Sequence, residues 1–580
     1  MSKSLFSTLI AVFFCIAANA VPAKFAPYSI RLVDGSYVTV SLVGDEHCHY
    51  LSTLDGTPVK EVEPDVYRLA PELIDSLMTR RAERTKLANR SRMNRAKTRG
   101  MRREFGVSTP YLGKKKGIVI LAEFPDLHFK LEDPLKEFNK LFNEKGYSEN
   151  DHIGSVHDYF YEQSYGKFDL TFDVVGPITS DYSYRYYGKN DRYGDDINVC
   201  ELVTEACNKA HDIYGTDFSQ YDWDGDGEVD QVFIIYASYG EHQGGGPDRI
   251  WAHEFSLKDS MENYDMGLGP FTLNNTLINT YAISSELCNS WGTKIDGIGT
   301  ACHEFSHCLG LPDMYDVNYN GGFGMNSWDM LDRGSHNGPS WDGERPMGFT
   351  AYERNFAGWL DYTVLDKPCS VIDMPCLTDS PTAYVIYNDN NSNEFFILEN
   401  RQPKGFFEYV ERYNGIHGML VYHVDYDKEA WEENFVNTDK NHQRMSIIPA
   451  GKKFGTYSYS SGMYSVSKET YASHLFPGSN NVTELTDDTH GAFNLRLFNP
   501  NVDNSFNLNK AITNIREHDG LISFDFMKNE ETDIDATSNA DSNTANKYFS
   551  INGTMMNGTP TKKGIYIMRT SKGETKKIIK

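Results

Sequence analysis

Residues 303–316, HEFSHCLGLPDMYD, contain a tetrapeptide, HEFS, that also stands at 253–256 in RIWAHEFSLKD. Only the later copy has a histidine four positions after its first: His307 follows His303, whereas Leu257 follows His253. On a helix, residues i and i+4 share a face, so His303 and His307 aim two imidazoles at one point with Glu304 turned slightly aside. Two such rings hold zinc, and a glutamate so placed takes a proton from an activated water. Gly310 can adopt the left-handed conformation that ends a helix and turns the chain back. Asp313 then falls where the long motif H-E-x-x-H-x-x-G-x-x-H/D supplies its third ligand. The stretch predicts a helix, a reversal at glycine, a zinc site of His303, His307 and Asp313, and Glu304 as general base. Asp316, and Glu353 in FTAYERNFAGW, compete for the third position. Gly310 favours Asp313, because a chain reversing there needs only three more residues to return a short carboxylate to the metal.

Around this stretch, residues 107–360 mix apolar strand patterns (GIVILAEF, QVFIIYAS, NTYAIS) with helical ones (DDINVCELVTEACNKAHDIYG, GIGTACHEFSHCLG), which predicts an α+β domain. Residues 361–528 read as strand, turn, strand (AYVIYND, EFFILENR, GMLVYHVD, LISFDFM), the pattern of a β-sandwich. Within the first domain, YDWDGDGEVDQVF places Asp222, Asp224 and Asp226 at positions 1, 3 and 5 of a calcium loop. Gly227 takes the sharp turn, the Glu228 carbonyl position 7 and Asp230 position 9. Phe233 stands where an EF-hand has its bidentate glutamate, so the loop is incomplete. Four aspartates within nine residues repel one another unless a cation sits among them, which predicts Ca2+ as a second cofactor beside Zn2+.

The ends differ in character. Residues 1–20 have the anatomy of a cleaved secretory signal: Lys3, an apolar run from Leu5 to Ala18, and the small-x-small ending Ala18-Asn19-Ala20. Residues 21–106 form a pro-segment, first a small antiparallel sheet over 24–70, then a basic run, Arg80–Arg103, with eleven basic residues against one acidic. An arginine-rich junction between two structured units is a place for proteolytic activation. Residues 529–546 are polar and aromatic-free, a linker, and 547–580 regain strand character. A net charge of −25 argues against a nucleic-acid partner, and no stretch is apolar enough for a transmembrane segment. Of nine cysteines, Cys15 leaves with the expected signal, and the eight that remain in so long a chain are no disulfide scaffold; Cys369 with Cys376 is a conceivable pair, and Cys48 a conceivable thiolate for the zinc.

HEFSHCLGLPDMYD, with SVHDYFYEQSYGKFDLTFDVVGP upstream and HGMLVYHVDYD downstream, resembles the immune inhibitor A-like family of secreted bacterial metalloproteases, of metzincin type. The resemblance spans about residues 25–525 and implies a metzincin-like zinc domain, His303, His307 and Asp313 as ligands, and protein or peptide substrates. The metzincin methionine turn is matched by SWDMLDRGS; aligned on Trp328, Leu331 stands at the methionine position with Met330 just before it. The tail, GIYIMRTSKGETKKIIK, resembles the sorting tails of type IX secretion cargo, which implies export or cell-surface attachment. The expectation is a zinc endopeptidase, secreted or at the cell surface and made as a latent precursor. The alternatives are a surface binding protein with a vestigial metal site, and a zinc hydrolase of non-peptide amides.

Overall fold

Ile118 to Ala122 are five consecutive buried residues. Such a run fits only a central strand covered on both faces. In the computed structural model this strand, Gly113–Glu123, is the second of a five-stranded sheet, in the order Phe168–Thr179, Gly113–Glu123, Val232–Tyr236, Thr280–Ser285, His253–Ser256. The first four are parallel and the last is an antiparallel edge strand. The structure describes residues 27–45, 48–84, 86, 111–191, 194–264, 267–289, 292–318, 321–458, 463–488 and 494–528, and in the C-terminal piece 547–550, 555–556, 559–569 and 575–579. The expected signal at 1–20, most of the basic run and the linker at 529–546 lie outside the described residues.

Ile118 and Ile120 meet the helix Val199–Tyr214 on one face of the sheet. Val119 and Leu121 face the helices Pro134–Asn143, Val156–Gln163 and Ile298–Cys308 on the other. The last of these carries the zinc signature. Ile298, Ala301, Cys302, Phe305 and Cys308 form its apolar stripe at helical spacing. Phe305 is seated between Phe172 (5.1 Å, edge-on) and Phe233 (5.3 Å, stacked), which fixes the helix on the sheet. The two HEFS copies therefore adopt different structures: 253–256 is the edge strand, and 303–306 lies inside a helix.

Beyond residue 360, a five-stranded sheet (Thr363–Val364, Tyr384–Asn388, Asn391–Arg401, Gly418–Asp425, Met445–Ile447) and a three-stranded one (Cys369–Met374, Leu521–Phe526, Ile512–His518) follow. One buried cluster runs from Tyr111 to Leu475, so these strands share a core with the signature helix. Chain contacts group everything up to Phe526 into one unit and Met527–Lys580 into a second, in which residues from 547 form a four-stranded sheet. All eight described cysteines are free thiols, Cys369 and Cys376 included. No helix among the described residues is long and apolar enough to cross a membrane.

The N-terminal strands, Tyr28–Leu32 to Val66–Leu69, form the expected small sheet, but one pair is parallel: Arg31 faces Val66. The chain crosses from one edge strand, Cys48–Thr53, to the opposite edge, Val59–Glu63, and so re-enters beside its first strand in the same direction. Helical residues 74–84 follow. Arg80 and Arg84 pair with Asp195, Arg81 pairs with Asp45 and donates to the Val317 carbonyl, and Lys86 pairs with Glu433. His49 stacks on Trp251 at 3.9 Å. The Cys48 thiol donates to the Leu77 carbonyl of its own segment, so it is spent there rather than at the metal signature.

Candidate metal centre

The signature helix runs from Ile298 to Cys308, and its first turn lies against residues 333–343. A Cβ on Gly299 would stand 1.8 Å from the Ser335 carbonyl oxygen, so only glycine permits this approach. At the other end Gly310 has φ +82°, the left-handed reversal expected of it. The turn brings Asp313 back to the rings: its Oδ1 lies 3.3 Å from His303 Nε2 and 3.5 Å from His307 Nε2, and the two Nε2 atoms are 3.1 Å apart. A tetrahedral zinc about 2.0–2.1 Å from each ligand sets ligand separations of about 3.4 Å, close to these values.

The chemistry of the donors agrees. His303 Nδ1 donates to the Met330 carbonyl (3.0 Å) and His307 Nδ1 to that of Leu311 (2.9 Å). A neutral imidazole with its proton on Nδ1 has only a lone pair on Nε2. Two lone pairs and a carboxylate oxygen thus converge, an arrangement that calls for a positive charge. The same pull acts on protons: burial lowers the basicity of His303, and the carboxylates of Asp313 and Glu304 outweigh it and raise the group overall. Zinc fits the cage formed by these residues.

Glu304, directly after the first ligand, is 1% exposed, and both histidines and Asp313 are equally buried. Met330 and Leu331, the candidates for the methionine-turn position, are both fully buried; Met330 acts on the site through its backbone carbonyl. Asp316 is occupied by its own loop, accepting from Asn318 N and Gly322 N. Glu353 caps its own helix by accepting from Thr350 N (2.6 Å) and lies outside the ligand cluster.

Asn434 is a site residue that the sequence did not reveal. It lies 121 positions after Asp313, in the β-rich region, and grips it twice: Asn434 Nδ2 donates to Asp313 Oδ2 (2.7 Å), and Asp313 N donates to Asn434 Oδ1 (2.9 Å). Asn434 has φ +58°, a left-handed conformation that asparagine tolerates, which fits its position just after the helix Lys428–Glu432. That sign of a special backbone is not visible in sequence.

Of the five residues assigned to calcium, the structure gathers Asp222, Asp224 and Asp226. Their oxygens also accept from the backbone N–H groups of Gly225, Asp226, Gly227 and Glu228. The Glu228 side chain turns to Asn279 (3.2 Å), and Asp230 points inward, accepting from Trp223 N (2.6 Å). His253, on the first HEFS, bonds the Trp251 carbonyl and the Tyr281 hydroxyl and is structural.

Residues 110–359 match the family described as immune inhibitor A peptidase M6, catalytic domain. The pre-pro-metalloprotease PrtV of Vibrio cholerae serotype O1 is 29% identical over 279 residues, covering 42% of this chain and 29% of the relative. Immune inhibitor A of Bacillus thuringiensis subsp. alesti is 27% identical over 311 residues, covering 44% and 42%. The matches thus span less than half of either relative's length. The matched segment, residues 110–359, is the one that carries the His303–His307–Asp313 cluster.

Proposed function

We propose that the chain is a zinc-dependent endopeptidase of metzincin type, exported as a precursor and held inactive by its N-terminal segment. The observation that carries this reading is the convergence of His303 Nε2, His307 Nε2 and Asp313 Oδ1 beside Glu304. Bound there, zinc supplies Lewis acidity, acidifying a water and polarising the scissile carbonyl. Glu304 takes the proton of the attacking water and returns it to the leaving amine. His303 and His307 are held in one tautomer by Met330 and Leu311, so they need no reorientation as they bind.

Burial of all four residues, Glu304 at 1% exposure included, is in keeping with a latent form. Helical residues 74–84, with Lys86, tie the region before the metal helix (Asp195) to the regions after it (Val317, Glu433). Because Arg80, Arg81, Arg84 and Lys86 are engaged, we place the activating cut after Lys86, within residues 87–103. The name of the Vibrio relative, a pre-pro-metalloprotease, is in keeping with a precursor. The tail from Lys547 we read as an export or attachment signal.

The test is hydrolysis of an unfolded protein substrate after activation, with and without chelator, together with zinc analysis. Glu304→Gln is expected to keep its zinc and to lose turnover by roughly 10²–10⁴-fold. Asp313→Ala is expected to lose both. A substrate-binding protein with full zinc and no turnover would favour the vestigial-site alternative. The cluster of Asp222, Asp224 and Asp226 we read as the calcium position; added Ca2+ should raise the melting temperature of the wild type and leave Asp222→Asn unchanged.

A further inference from the structure

Behind the metal helix, the segment Trp328–Leu331 carries the carbonyl that orients His303. Asp329 anchors that segment: its Oδ1 accepts from Leu331 N at 2.7 Å. Opposite it stands Glu353, whose Oε2 accepts from Thr350 N. Both side chains are completely buried, and the two carboxyl groups are hydrogen-bonding neighbours. The remaining oxygens, Asp329 Oδ2 and Glu353 Oε1, accept from no N–H or hydroxyl donor among the described residues.

Two ionised carboxylates in contact, with no counter-charge between them, repel each other strongly, so one of them retains a proton. The surroundings supply no substitute. Arg401, the cation acting on Asp329, gives its Nε to Glu399 Oε1 at 2.5 Å, and Glu399 also accepts from Ala351 N and the Tyr422 hydroxyl; Arg354, next to Glu353 in the chain, donates to the Phe349 and Leu377 carbonyls and to Gln163 Oε1. Asp332, near Asp329, offers no positive charge either: burial pushes it up to about 7, and it accepts from the N–H groups of Asn326 and Arg333, while the Arg333 guanidinium faces Glu411. The Tyr159 hydroxyl, also close, donates to the Met347 carbonyl.

We propose that Asp329 and Glu353 share one proton, and that this pair fixes the Trp328–Leu331 segment so that the Met330 carbonyl positions His303 for the metal. Glu353 is thereby a positioning residue; it touches neither the ligands nor the substrate. Burial and the facing Asp329 push it well above the usual carboxylate range, and burial raises Asp329 as well. The folded protein holds a proton that the unfolded chain releases in mild acid, so this contribution to stability falls as pH rises. Loss of the proton sets two charges against each other beneath the segment that steadies His303. The proposal rests on the zinc reading of the site above.

The test compares full-length wild type, Glu353→Gln and Glu353→Ala from mildly acidic to alkaline pH, reading melting temperature, zinc retained after dialysis and the pH profile of kcat. Glutamine keeps both hydrogen bonds without a titrating proton. Glu353→Gln is therefore expected to lose less melting temperature, zinc and kcat than wild type as pH rises into alkaline conditions, the groups common to both proteins, such as Asp196, contributing equally. Glu353→Ala is expected to bind zinc roughly 10- to 100-fold more weakly at every pH. If alanine prevents folding, Asp329→Asn serves in its place and is expected to behave like Glu353→Gln, since its amide donates from the other side. Wild type and Glu353→Gln declining together would overturn the shared proton. Changes in melting temperature with zinc retention and kcat profile unaltered would overturn the positioning role. Wild type that binds no zinc overturns the metal reading and the positioning role with it, while the melting-temperature comparison still decides the shared proton.

Discussion

Asn434 and Asp313 exchange two hydrogen bonds across 121 residues of chain, and that exchange sets the third metal ligand. An amide gripping both the backbone and the carboxylate of one residue restricts where Oδ1 can point, which is how outer partners tune a metal site. Asn434→Ala is expected to weaken zinc binding by roughly 10- to 100-fold while leaving Glu304 in place, so that turnover recovers in excess zinc. Equilibrium dialysis and a zinc titration of activity check both parts; unchanged zinc affinity would mean that Asp313 is held well enough by the reversal at Gly310. The contrast with His303, Glu304, His307 and Asp313 shows what was legible. Those four occupy eleven residues at spacings dictated by one helix and one turn, so their geometry is written locally. Asn434 reaches the site only because the β-rich region shares the core of the metal domain, and no spacing rule records that.

HEFS twice over makes the same point for elements. At 303–306 it sits in an apolar stripe of period 3.6 that Phe305 docks between Phe172 and Phe233; at 253–256 it pairs edge-on with Thr280–Ser285. Neighbouring periodicity, not the tetrapeptide, decides the structure, and that periodicity was readable. The N-terminal segment was readable only as a sheet and a basic run; where its arginines bind was not. They bind around Asp195, and beside it is Asp196, which burial pushes up to about 8 although Trp251 N and Arg84 pull the other way. His49 and Arg84 of the segment help to enclose Asp196, so opening this contact exposes it and returns it toward a free aspartate near about 3.9. The closed form then holds a proton that the open form releases: its advantage is full below the ordinary carboxylate range and is lost as pH rises through about 8. Glu241, across from His49, is also raised by burial and acts in the same direction. After a cut in residues 87–103, separation of the N-terminal segment is expected to accelerate with rising pH, and Asp196→Asn to flatten that dependence. Gel filtration after timed cleavage measures it; equal dependence in the variant would remove Asp196 from the account.

At the scale of the molecule, chain contacts divide the protein at Phe526, while buried residues on both sides of the expected boundary near residue 360 share one core. The cluster of buried residues from Tyr111 to Leu475 joins the metal helix to the strands Asn391–Arg401 and Gly418–Asp425, and Asn434 ties that region to the ligand itself. A protein cut at residue 360 would strip Tyr159 of its packing on Phe406 and Tyr352 of its packing on Trp431 and expose the metal domain's side of the shared core, where fully burying one Leu, Ile or Phe side chain stabilises by about 1.5–3 kcal/mol. The piece 107–360 alone is therefore expected to be insoluble or unfolded. The C-terminal unit is different. Its described strands form one sheet, in the order Met555–Met556, Lys547–Ser550, Ile565–Arg569, Thr575–Ile579. Truncation after Lys528 thus leaves every described strand of the first unit paired and its core intact. The truncated protein is expected to match the full chain in melting temperature, zinc content and activated kcat, and to differ only in export or attachment to the cell. A drop in melting temperature on truncation would show that the tail belongs to the enzyme's fold, and normal export without it would remove its role as a signal.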